Sequence, residues 1–341
     1  MSAADDTSRA GGREAAVPPS VVGYILLGTF LLTYPAYASD FFLFQVAAYA
    51  MILGIIALSL TFLAGYGGMV SLAQMTIAGL AGYLVAIFGA TSATEFGLGW
   101  PWWLVVPLAI GLATLASALI GAISVRTEGI YTIMITLAIA VAFFYFTRQN
   151  YDLFNGFNGF AGIAPPMLFG VDWRTPLPFY YLTLGVSVAA YVFVLYISRS
   201  TFGLSLQAVR DNARRMEALG FNVTGHRIFA WVIAGAIAGV GGVLAVWFNG
   251  RISPGTISVG PVIDILVIAV IGGLRRPIGP FLGAIVFVLL ENFAIDLIDR
   301  ERFNTVIGLS FLAIVLFSPD GLLGLWDRLK GRLAQTRPPL S

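Results

Sequence analysis

The chain has no cysteine, one histidine (His226) and one lysine (Lys330) among its 341 residues. Without cysteine there is no disulfide, no thiolate metal ligand and no thiol nucleophile. One histidine cannot supply a two-histidine metal site or paired haem ligation. No metal or cofactor is expected. Lys330 follows Leu329, whereas a P-loop needs Gly directly before its Lys, so the chain carries no Walker A site. Lys330 also lies in a charged tail, a poor setting for a buried Schiff base. These depletions leave no credible catalytic constellation, and the chain reads as non-enzymatic. Charge is scarce too: 11% of residues are charged, against roughly 25% in soluble chains. No basic stripe with interleaved aromatics is present, which argues against a nucleic-acid partner.

What fills the sequence instead is apolar: 58% of it is hydrophobic. A helix crossing a ~30 Å hydrocarbon core needs about 20 apolar residues. Such runs occur near 21–39, 43–64, 67–90, 101–124, 129–147, 179–198, 228–248, 261–274, 278–298 and 304–318. The expected fold class is therefore an all-α polytopic membrane protein with about ten transmembrane helices. The segment 261–274 is the weakest, being short and preceded by Ser253-Pro254-Gly255. It reads as a broken half-helix or a re-entrant segment, a form tolerated only where it lines protein or a cavity.

Orientation follows from Arg and Lys. With the N-terminus in the cytoplasm and spans alternating, fourteen of the nineteen basic residues fall on the cytoplasmic side. Arg148, Arg174, Arg251, Arg300 and Arg302 fall outside. Both termini are thus expected in the cytoplasm. Residues 1–20 mix acids, arginines and Pro18-Pro19 and read as a disordered cytoplasmic tail. The apolar run after them is too long for a signal sequence and lacks a small-residue cleavage site. Residues 21–325 form the expected transmembrane domain, and 326–341 a basic cytoplasmic tail.

Two loops stand out. The outer loop 148–178 either packs over the outer mouth, touches a partner, or is an ordinary polar connection. The cytoplasmic loop 199–227 looks largely helical, from about Leu204 to Leu219, with Gly220 as the stop. Leu206, Val209, Ala213, Met216 and Gly220 make a helical stripe. Arg210, Asp211, Arg214, Arg215 and Glu217 occupy other faces, and Asp211 and Arg215 have the spacing of a helical ion pair. The mixed charges favour a soluble partner over a lipid interface, which selects a more uniformly basic face.

Within the spans, ionisable residues are costly and therefore candidates for function. Asp264 and Glu291 are the main cases, with Asp296 near an outer end. Each of the two is read either as a pathway group or as a structural hydrogen-bond former. Ser71, Gln74 and Thr76, in the Gly-rich third span, offer hydrogen bonds either to a polar solute or to neighbouring helices. Gly235 and Gly239, with Ala234, Ala238 and Gly242, allow close helix approach.

The segment QAVRDNARRMEALGFNV (207–223) resembles the cytoplasmic coupling segment of branched-chain amino acid ABC permeases of the LivM type. Three further stretches agree, in the family's order: GYGGMVSLAQMTIAGLAGY (65–83), IGGLRRPIGPFLGAIVFVLLEN (271–292) and FSPDGLLGL (317–325). Met69 and Ala73 depart from the family, where Gln and Gly are common. The resemblance implies a permease subunit of an ATP-driven importer in the bacterial inner membrane. Its solute would be a branched-chain amino acid or a related small polar molecule such as urea or a short amide. Implied partners are a second homologous permease, two ABC ATPases and a periplasmic binding protein. Arg210, Asp211, Asn212, Arg214, Arg215, Met216, Glu217, Leu219 and Gly220 would couple to the ATPases. Ser71, Gln74, Thr76, Asp264 and Glu291 would line the pathway. The alternative is an ion-coupled secondary transporter or channel, which would carry more intramembrane charge and need no ATPase.

Overall fold

In the computed structural model the described residues are 28–90, 97–127, 129–167 and 170–297, with 308, 309, 312, 321, 322 and 324 beyond them. No charged residue occurs between Asp40 and Glu95, and the first long helix forms there. Helix α1 (Phe42–Tyr66) is a continuous rod of 25 residues. Its α-helical centre, Tyr49–Thr61, is flanked by π-helical turns at Phe42–Ala48 and Phe62–Tyr66. Every residue from 52 to 63 is buried, so α1 is the central element around which the others pack.

Further α-helices among the described residues are α2 (Gln74–Phe88), α3 (Trp102–Ser124), α4 (Ile130–Gln149), the short α5 (Tyr151–Phe154), α6 (Pro176–Arg199), α7 (Thr201–Asp211), α8 (Ala213–Ala218), α9 (Val223–Asn249), α10 (Val259–Gly272) and α11 (Gly279–Leu297). Five of them, α1, α3, α4, α6 and α9, are long and apolar enough to cross a membrane; α2, α10 and α11 are shorter apolar helices. The expected first span lies partly, and the expected last span mostly, outside the described residues.

Helix α9 threads the middle of the bundle, and its small residues set how close its neighbours come. A Cβ on Gly241 would lie 2.6 Å from Ile56 Cγ1 of α1. One on Gly242 would strike the Ala78 carbonyl of α2, and one on Gly235 would strike Ser117 of α3. Without a solvent-driven force between apolar helices, such close approach supplies the packing energy. The small-residue stripe expected around Gly235 and Gly239 does serve that purpose, against three partners at once. Helices α10 and α11 form a hairpin whose turn crosses the end of α1, where a Cβ on Gly65 would meet the Leu274 carbonyl.

The long loop 148–178 folds back into the body. Phe154, Phe160 and Ile163 are buried in the main core. Its strand β1 (Phe160–Ala161) pairs antiparallel with β2 (Arg251–Ile252), directly after α9. The Gly250 carbonyl accepts from the Ile163 amide at 3.0 Å. Ile252 and Ile257 in turn sit against Gly82 and Gly79 of α2. The loop thus pins residues 250–258 across one end of the bundle. The other end, some 40 Å away along the 27 residues of α9 at ~1.5 Å each, carries α7 and α8.

Two sequence expectations are corrected here. The run 67–90 was expected to be one continuous span, but its helix starts only at Gln74 and residues 68–73 are non-helical. Helix 204–219 was expected to be unbroken, but Asn212 adopts φ −159°, ψ 92° and divides it. The reason is local: the Asn212 carboxamide oxygen accepts from the Arg215 amide at 2.9 Å, capping α8. Asn competes for backbone donors in this way and so prefers helix ends. The break removes the expected Asp211–Arg215 pair, and Asp211 bonds instead to Arg210, at 2.8 Å.

Candidate functional site

At the loop-covered end, α1, α2, α9, α10 and α11 enclose a cavity of about 400 Å³. Ile52, Leu53, Ile56, Met75, Ile265 and Phe287 form its apolar wall. Its polar groups are Tyr49, Asn249, Arg251, Asp264 and Glu291, with the Ser253–Thr256 turn beside them. Asp264 and Glu291 reach one space because α10 and α11 are an antiparallel hairpin, although 27 residues separate them. Glu291 Oε2 is buried and has no hydrogen-bond partner among the described residues. Two half-buried acids and the exposed Arg251 at the strand end set up a directional field in this cavity. That field can orient a small molecule bearing both charges, and the apolar wall can hold its aliphatic part.

The other three expected pathway residues lie below this cavity. After α1 ends, Gly68 turns the chain with φ +68°, a conformation that suits glycine. Residues 68–73 then run back alongside α1 until Gln74 meets Ser59, whose hydroxyl donates to the Gln74 carboxamide oxygen at 3.0 Å. Non-helical backbone inside a bundle must find partners within the protein. Here the Leu72 amide donates to Thr136 Oγ1 of α4 at 3.0 Å. The Ala73 amide donates to Ser71 Oγ at 3.1 Å, and the Met69 amide to the Leu63 carbonyl at 3.0 Å. Ser71 therefore closes the segment on itself, and Gln74 fastens it to α1. Thr76 Oγ1 and Gln74 Nε2 are buried with no hydrogen-bond partner among the described residues. Thr136 shares a helical face with Thr132, and the sequence reads both as bonding their own backbone carbonyls, as threonine in membrane helices usually does. Thr136 does bond the Ile133 carbonyl, and accepts from Leu72 besides.

On the far side of this segment lies a second cavity of about 480 Å³, lined by Gly68, Met69, Val70, Thr132, Arg210 and Arg214 among others. Met75 faces the first cavity and Gly68–Val70 the second. Between them Ser71, Leu72, Ala73 and Gln74 are all buried. The two cavities are thus separated by a short, non-helical, internally bonded block.

The α7–α8 corner closes the second cavity. Of the expected stripe, Leu206, Val209 and Met216 are buried, on both sides of the break, while Ala213 is half-buried and Gly220 exposed. Gly220, with φ +86°, ends α8. The Phe221 amide donates to the Met216 carbonyl and the Gly220 amide to Glu217, the paired bonds of a Schellman turn. Asp211, Asn212, Arg214, Arg215, Glu217 and Leu219 are exposed. Leu219 is an apolar tip 67% accessible. Arg210 is exposed too, but it is also tied to the bundle. Its guanidinium donates to the Gly65 carbonyl at the end of α1, and its aliphatic stem lies on Gly68.

Among the described residues, no group of His, Asp and Glu is arranged to hold a metal ion. No solved structure matches the chain significantly. Curated proteins do. The high-affinity branched-chain amino acid transport system permease protein LivM of Salmonella typhimurium is 25% identical over 302 residues, 82% of this chain and 69% of its own length. The nucleoside ABC transporter permease protein NupC of Lactococcus lactis is 28% identical, covering 67% of this chain and 74% of its own. The ribose import permease protein RbsC of Haemophilus influenzae is 21% identical over 71% of this chain and 76% of its own. The family model described as branched-chain amino acid transport system / permease component matches residues 42–316, which span both cavities, the block between them and the α7–α8 corner. The chain is a multi-pass membrane protein and belongs to that permease-component family.

Proposed function

We propose that the chain is the membrane subunit of an ATP-driven importer in the bacterial inner membrane, and that its solute is a zwitterionic amino acid with an aliphatic side chain. The observation that carries the substrate reading is the composition of the first cavity. Asp264 and Glu291 suit an ammonium group, Arg251 suits a carboxylate, and Ile52, Leu53, Ile56 and Phe287 suit a branched aliphatic chain. A sugar or nucleoside has no ammonium to offset two acids, and leaving such charges unmatched in a buried site is costly. The solute enters from the loop-covered end, delivered by a periplasmic binding protein, and is stopped by the Ser71–Gln74 block. Energy arrives from two ATPase subunits, because this chain has no phosphate-binding Gly-Lys step in its sequence. A second, homologous permease completes the membrane unit. The exposed Arg214, Arg215, Glu217 and Leu219 at the α7–α8 corner form the docking face for an ATPase, with Asp211 and Asn212 beside them.

A solute panel tests the substrate reading. Proteoliposomes holding the complete complex and its loaded binding protein are expected to take up leucine-like zwitterions. Uptake of the uncharged amide-and-alcohol analogue of the same shape should be at least about tenfold lower, the loss of one charge-assisted hydrogen bond. Equal uptake of the uncharged analogue, or of ribose, would contradict the assignment.

A further inference from the structure

Among the charged residues of the α7–α8 corner, Arg210 is exposed like its neighbours, and its side chain also reaches back to the end of α1. Its guanidinium donates to the Gly65 carbonyl in the last turn of α1. Its Nε donates to Asp211 at 2.9 Å, which fixes the side chain's direction. A Cβ on Gly68 would lie 2.6 Å from Arg210 Cγ, so the glycine is the seat of the arginine's stem. Gly67 lies against Leu206 and Met69 by the same measure. Arg210 therefore grips both the end of α1 and the first residue of the non-helical block.

We infer that Arg210 is a positioning residue that transmits motion of the α7–α8 corner to the Gly68–Gln74 block, rather than a contact with the ATPase. The inference rests on the importer reading above. A coupling element needs a connection stiff enough to carry displacement inward, and a hydrogen-bonded, charge-anchored side chain seated on backbone is one. The block is suited to move. It is held by a few single hydrogen bonds rather than a helical ladder, and two buried polar groups, Gln74 Nε2 at its end and Thr76 Oγ1 in the first turn of α2, have no hydrogen-bond partner among the described residues. Such groups are costly where they are, so a second arrangement that pairs or hydrates them is favoured relative to an apolar plug. Displacing Gly68 toward α7 would draw Ser71 off the Ala73 amide and join the two cavities.

The absence of cysteine gives a clean reporter. Ser71→Cys places a single thiol of nearly the same size in the block, and its labelling by a membrane-impermeant maleimide is read by mass on this chain within the purified complex. Labelling is expected to be slow without nucleotide and to rise at least about tenfold during ATP turnover. In Arg210→Ala, the ATPases are expected to co-purify at wild-type stoichiometry and to hydrolyse ATP. Labelling of Ser71→Cys should then lose its ATP dependence, and solute moved per ATP should fall at least about tenfold. Arg210→Lys, which keeps the charge and a donor, should recover part of both. Gly68→Ala perturbs the same contact from the other side and should uncouple in the same way. Loss of the ATPases from the Arg210→Ala complex would make Arg210 a docking contact and overturn the inference. So would unchanged solute per ATP. A wild-type chain that purifies without any ATPase would overturn the importer reading itself.

Discussion

Replacing Asp264 by Asn together with Glu291 by Gln is expected to lower uptake at subsaturating solute by about ten- to hundredfold while the complex still assembles. The size follows from what is removed. A hydrogen bond to a charged group contributes about 1.5–3 kcal/mol, and each ~1.4 kcal/mol is a factor of ten in affinity. The substitutions keep shape and hydrogen-bonding capacity, so packing of the α10–α11 hairpin on α1 should be undisturbed. Thermal stability should be equal or higher, because two like charges facing one cavity repel, and Glu291 Oε2 has no partner to lose among the described residues. Uptake counting in proteoliposomes, beside a melting curve of the purified complex, separates the outcomes. Normal uptake would make the two acids structural. Lost uptake together with a collapsed melting temperature would make them so as well.

The second large effect is at the opposite end. Arg214→Glu with Arg215→Glu is expected to abolish co-purification of the ATPases and leave the chain inserted in the membrane. Both residues are exposed at the corner, beside the apolar tip Leu219, and neither holds α8 together by its side chain. The Arg215 contact with Asn212 runs through its backbone amide. Reversing two charges at the rim of a docking face replaces attraction by repulsion, which costs several kcal/mol when like charges are juxtaposed. Affinity tags on this chain, followed by quantitation of each subunit, give the result directly. Retained ATPase would place the docking face elsewhere.

The fold was legible in the sequence where hydropathy decides it. The charge-free stretch around α1 and the small-residue faces of α9 follow from patterns along the chain. Hydropathy misses what happens to the backbone inside an apolar run. Residues 67–90 carry no charge, so nothing in their polarity shows that 68–73 leave the helix. The available signal was Gly67-Gly68 followed by Ser71, a turn former and a hydroxyl that can satisfy a freed amide. Segment 261–274 was singled out as the broken one, and α10 is indeed short, at 14 residues; the non-helical backbone inside the bundle lies instead at 68–73.

The candidate site was half legible for a similar reason. Asp264 and Glu291 are conspicuous as acids in apolar helices, and each was picked out alone. Their convergence on one cavity depends on the hairpin bringing distant positions together, which no local period encodes. Ser71 and Gln74 read from the sequence as bonding either a solute or neighbouring helices, and their oxygens bond within the chain, to the Ala73 amide and the Ser59 hydroxyl. Arg210 was grouped with its charged neighbours because helical spacing gives a face, not a direction. The break at Asn212 ends α7 just after Arg210, which bonds the end of α1 while both Arg210 and Arg214 border the second cavity.

The most direct test of the account is to isolate the chain from native membranes and measure ATP hydrolysis of whatever accompanies it, with and without a loaded binding protein. The account predicts two ATPase subunits and a second permease in the preparation, with hydrolysis rising when the binding protein carries an aliphatic amino acid. A chain that purifies alone and moves solute only under an ion gradient would contradict it.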